Sequence, residues 1–121
     1  MSPLRNLKMD RIVAWNIRGL NNPHKQQEIV DLYSKYKIGL LGILENKLRS
    51  HAFDSVRSRI ASGWGSFNNL DVCSIGRIWV IWRKDCFDVV LVSRTNQYMH
   101  LYVTLKQQQK SFFCDFCVCF K

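Results

Sequence analysis

Two polar residues stand where an apolar run hands over to a loop: Asn16 after residues 12–15 (Ile-Val-Ala-Trp) and Glu45 after residues 38–44. If the two runs are parallel neighbours in one sheet, an amide and a carboxylate reach the same rim, which is where open α/β sheets bind their ligands. Both are hard oxygen donors of the kind Mg²⁺ takes alongside water and phosphate. Each alone has a plainer reading, Asn16 as a turn former and Glu45 as a solvated strand end. Arg18, Lys47 and Arg49 follow the pair closely and are the best-placed phosphate contacts, with a solvated basic face as their plainer reading.

Other reactive side chains point to less. Cys73, Cys86, Cys114, Cys117 and Cys119 are an odd number in a chain whose start lacks an apolar signal-peptide core, so reduced thiols and no disulfide are expected. Strand alternation sends Cys114 to one face and Cys117 with Cys119 to the other, which makes them small strand residues, with zinc as the alternative. His24 falls in a first helical turn, His51 in a loop and His100 on a strand, each an ordinary histidine. Trp15, Trp64, Trp79 and Trp82 are stacking candidates in a basic chain. Trp15 and Trp79 lie inside apolar runs and read as core; Trp82 lies on the opposite strand face from Trp79 and is open to exposure.

The elements that would position these groups follow from pattern. Residues 12–15 read as a buried strand. Asn22-Pro23 opens a helix, with Ile29, Leu32, Tyr33 and Tyr36 as its apolar stripe and its end near Lys37. Residues 38–44 read as a second strand, so the first 45 residues form a βαβ unit with a right-handed crossover. A short helix over 52–61 precedes Gly63-Trp64-Gly65. Strands are then expected at 67–69, 77–83, 87–93, 98–106 and 112–120, joined by short turns as antiparallel hairpins, with Gln107-Gln108-Gln109 in one of the loops. The last strand reads as a central one that stops at the chain end, so the domain looks cut short.

Composition sets the class. The 121 residues suit one domain, and 47% hydrophobic content excludes a wholly disordered chain. No run approaches the ~20 apolar residues of a membrane span. Eighteen Lys and Arg against nine Asp and Glu leave a net charge of +9, which favours polyanionic partners, nucleic acid first.

Three segments in order, residues 15–23 (Trp-Asn-Ile-Arg-Gly-Leu-Asn-Asn-Pro), 40–47 (Leu-Leu-Gly-Ile-Leu-Glu-Asn-Lys) and 76–82 (Gly-Arg-Ile-Trp-Val-Ile-Trp), carry a resemblance. They resemble the opening half of the apurinic-endonuclease-like domain of plant LINE-type (non-LTR) retrotransposons, within the endonuclease/exonuclease/phosphatase superfamily. The resemblance implies a four-layer α/β/β/α sandwich of the DNase I type, truncated to about its N-terminal half, with residues 1–9 a leader and 10–121 the partial domain. It also implies phosphodiester hydrolysis with Mg²⁺: Glu45 matches the metal-binding glutamate, and Asn16 the asparagine that helps hold metal and scissile phosphate. In such elements the domain nicks target DNA so that a reverse transcriptase can prime there.

Departures from that pattern set the functional expectation. Asn46 and Arg77 stand where the family usually has Thr and Gly, and Val118 and Lys121 fall where it carries Tyr and Asn. The water-positioning Asp-x-Asn and the late Asp with its His have no counterpart. The chain is therefore expected to be a remnant of a metal-dependent endonuclease, inactive by itself. A basic non-specific nucleic-acid-binding module, or a degenerate fragment without selected function, are the alternatives. Expected partners are DNA and a complementary C-terminal half or the reverse transcriptase of the parent element, with no membrane and no small-molecule cofactor. The expected location is intracellular, and nuclear if functional.

Overall fold

The computed structural model describes residues 10–72 and 76–118, so the leader, Cys73 and Cys119 lie outside the described residues. Strand β1 is Arg11–Asn16 and helix α1 is Pro23–Lys35. The helix starts where the sequence says it should: the Asn22 side chain accepts the His24 N–H at 2.8 Å, and Pro23 fills a first-turn position that needs no donor. Strand β2 spans Ile38–Leu44, helix α2 Ser50–Ile60, β3 Gly65–Asn68, β4 Ile78–Trp82, β5 Phe87–Arg94, β6 Tyr98–Leu105 and β7 Lys110–Cys117. Helix α2 begins two residues earlier than expected, so His51 sits in its first turn rather than in a loop. No helix among the described residues is long and apolar enough to cross a membrane.

The strands form two sheets, ordered β1-β2-β4-β3 and β5-β6-β7. β1 and β2 are parallel, as the βαβ reading requires, with Ala14 beside Gly42 and Asn16 beside Leu44. β4 then pairs antiparallel with both β2 and β3. The second sheet is an antiparallel meander, with the glutamine triplet in the loop joining β6 to β7. One expected hairpin is absent among the described residues. At Lys84-Asp85 the chain leaves the first sheet, and β5 pairs with β6 instead of folding back on β4.

Alternation along β2 and β4 builds two cores. Leu41, Ile43, Trp79 and Ile81 face the helices and pack with Ile29 of α1 and with Phe53, Val56 and Ile60 of α2. Leu40, Ile78, Val80 and Trp82 face the second sheet and pack with Phe87, Met99, Leu101, Val103 and Phe116. The described layers are therefore α/β/β, with both helices on the first sheet. Gly42 lets the sheets close up: a Cβ there would overlap the Phe116 ring, with Cγ at 2.9 Å.

Several exposure expectations are corrected by this arrangement. β1 is an edge strand, so it is half-exposed rather than buried, and Trp15 is 42% exposed instead of core. Trp82 is buried, not exposed, because it lies over Gly65, where a Cβ would overlap its indole, and beside Phe67. β7 is an edge of the second sheet rather than a central strand, and Phe113 on its outer side is 63% exposed. Trp79 is buried on the helix side, as expected. Cys114 packs toward the inter-sheet core while Cys117 is exposed, in keeping with strand alternation.

Candidate functional site

The rim at the C-terminal ends of β1 and β2 is assembled by backbone hydrogen bonds from three segments. Ile17 N–H donates to Leu44 O at 3.0 Å, which holds the chain after Asn16 against the end of β2. Glu45 N–H donates to Arg77 O at 2.6 Å and Lys47 N–H to Gly76 O at 2.8 Å, so the approach to β4 is clamped against the loop leaving β2. Leu20 N–H closes the third side by donating to Asn46 O at 3.2 Å. Asn16 ends β1 beside the end of β2, Glu45 follows β2 directly, and Arg77 reaches Glu45 from the residue before β4.

Asn46 fixes the loop from inside. Its buried side chain donates to Ile43 O at 3.3 Å and accepts the Leu48 N–H at 2.9 Å. Gly76 packs so closely against it that a Cβ would strike the Asn46 amide and come within 2.7 Å of Leu48 O. Within this brace Glu45 and Lys47 adopt left-handed backbone, with φ of 57° and 62°. For residues carrying a Cβ that conformation costs about 1–2 kcal/mol each, a strain that gathers where side chains must be aimed.

The Glu45 carboxylate is 15% exposed and lies between two cations. Oε2 is 3.6 Å from Lys47 Nζ, and Oε1 is 3.7 Å from Arg77 Nη1. Arg77 is the better held of the two, with its side chain 25% exposed against 46% for Lys47. Arg18 and Arg49 are exposed and flank this centre in sequence. Lys47 therefore serves as a partner of Glu45 as well as a surface cation. The sequence signal for Arg77 was its departure from the family's glycine, but only the β2–β4 pairing shows that it meets Glu45.

Other charged pairs lie elsewhere, two of them in and beside the second sheet. Arg94 forms a bidentate ion pair with Asp71, and its hydrogen bonding holds the Asp71 carboxyl below the usual carboxylate range. His100 pairs with Asp115 across β6 and β7 and stacks on Phe113. Burial pushes the Cys114 thiol up, assisted by the Asp115 charge.

The donor set at the rim fits an Mg²⁺ ion poorly. A cation on Glu45 would share its carboxylate with a guanidinium and an ammonium. One shielded carboxylate lies between two cations, so the centre carries a net positive charge.

The fold itself has solved counterparts. The endonuclease domain of TRAS1, a telomere-specific non-LTR retrotransposon, matches with a TM-score of 0.61 at 10% identity, over 88% of this chain and 45% of that one. An endonuclease/exonuclease/phosphatase protein from Bacteroides vulgatus matches with a TM-score of 0.55 at 7% identity, over 86% of this chain and 49% of that one. The chain thus has the DNase I-like fold and spans about half the length of these structures. No protein family and no curated protein matches the sequence.

Proposed function

We propose that the chain is the N-terminal half of a retroelement-type endonuclease domain that binds the phosphodiester backbone of DNA through its β1–β2 rim and does not hydrolyse it alone. The observation that carries this reading is the meeting of Glu45, Lys47 and Arg77 at the end of β2 in a DNase I-like sheet, beside the end of β1 at Asn16. Support comes from the +9 net charge and from the exposed Arg18 and Arg49, which lie near Asn16 and Glu45 in sequence. Each phosphate neutralised releases condensed counterions, so such binding weakens steeply with salt.

Hydrolysis asks for more than a bound phosphate. Mg²⁺, which the resemblance implies, would stabilise charge on the phosphate and the leaving oxygen, and the rim as built competes with it for Glu45. A group that orients water typically adds about 10²–10⁴-fold, and the family's residues for that task have no match in this sequence.

Fluorescence anisotropy of a labelled duplex at increasing salt, with plasmid nicking in Mg²⁺ as a parallel assay, tests the reading. Binding should fall log-linearly with salt, and replacing Arg18 and Arg49 with Gln should flatten the slope by about one per contacted phosphate. Absence of binding at low salt would reject it. Metal-dependent nicking lost in Glu45→Gln would replace it with an active nuclease.

A further inference from the structure

We infer that Arg77 takes the place of a divalent cation at Glu45, so that the rim offers a phosphodiester fixed positive charge and stays metal-free. This rests on the proposed phosphate-binding role of the rim and specifies how it is met. Each oxygen of the carboxylate faces its own cation: Arg77 Nη1 lies 3.7 Å from Oε1 and Lys47 Nζ 3.6 Å from Oε2. The Arg77 backbone is fixed as well, since its carbonyl accepts the Glu45 N–H at 2.6 Å and the adjoining Gly76 is locked against Leu48 and Asn46. The guanidinium is therefore part of the centre and not a passing surface contact.

An Mg²⁺ ion at about 2.1 Å from a carboxylate oxygen would lie within about 6 Å of the cation facing that oxygen. Even at the dielectric of bulk water, a unit positive charge at about 6 Å disfavours a divalent ion about tenfold, and partial burial sharpens that. A phosphate oxygen gains from the same charge. Guanidinium is always protonated, so Arg77 keeps a fixed positive charge beside Glu45.

Mn²⁺ serves as the probe, with electron paramagnetic resonance reading free against bound ion and no DNA present. The wild-type chain should bind no Mn²⁺ at the rim up to millimolar concentration. Arg77→Gln should gain affinity at least about tenfold, a gain that Glu45→Gln in the same background removes and that Arg77→Lys does not show. Far-ultraviolet circular dichroism and tryptophan emission report folding, and Lys47→Gln, changed at an exposed side chain, provides a second variant with a smaller gain in the same direction. Wild-type binding of Mn²⁺ that Glu45→Gln abolishes overturns the inference, as does an unchanged affinity in folded Arg77→Gln or, if that variant does not fold, in Lys47→Gln. Both results leave duplex binding to be judged by its own salt titration.

Discussion

Replacing Gly42 with Ala tests how the two sheets are held together. Gly42 lies in the middle of β2, and the added methyl would overlap the ring of Phe116, a buried side chain of β7 in the opposite sheet. Glycine in a strand interior ordinarily costs about 0.5–1 kcal/mol relative to Ala, so without the ring the substitution would stabilise. Overpacking a filled core costs about 1–3 kcal/mol, and the backbone that carries Gly42 cannot retreat because β1 and β4 flank it on both sides. The expected net effect is a loss of about 1–2 kcal/mol. Phe116→Leu trims the obstructing ring and should cost up to about 1.5 kcal/mol alone, while the double variant should recover at least about 1 kcal/mol of the summed losses. Urea titrations followed by tryptophan emission read all four stabilities, given an unchanged slope with denaturant. Strictly additive losses, or a Gly42→Ala chain as stable as the parent, would refute the face-to-face contact.

Two further outcomes follow from single groups. Asn69 is fully buried and joins the sheets, accepting the Ile78 N–H and donating to Thr95 O, both at 3.1 Å; Asn69→Ala should lose about 2–3 kcal/mol in the same titration because a buried N–H and a half-buried carbonyl lose their partner. Arg94 lowers the Asp71 carboxyl below its ordinary value, so the pair stabilises the fold above that value and the contribution disappears as pH falls through the lower folded one. Melting temperatures of wild type and Asp71→Asn should therefore differ at neutral pH and converge on strong acidification; a gap that persists in acid would count against the assignment.

Local signals in the sequence translated well. The Asn22-Pro23 start of α1 and the span of β2 depend on neighbours in the chain, and both are found where pattern places them. Exposure depends on partners far along the chain, and there pattern misleads. Trp15 sits in an apolar run yet is exposed, because nothing in that run says its strand lies at an edge. Trp82 is covered because Gly65 leaves room for it, a pairing no periodicity reveals. The change of sheet at Lys84-Asp85 is equally non-local, since a two-residue break reads as a hairpin whichever sheet receives the next strand. At the rim, the neighbouring ends of β1 and β2 followed from expecting parallel strands, whereas the ion pair of Arg77 with Glu45 required the antiparallel β2–β4 register.

The layering also grades the molecule by how readily its parts open. β2 and β4 are sealed on both faces, whereas β5, β6 and β7 have a single dry side and show water Val90, Tyr102 and Phe113 on the other. Amide protons of the meander should exchange with deuterium well before those of the central pair. Because the backbone clamps at Glu45 and Lys47 hang from that central pair, the rim should keep its shape through transient fraying of the meander.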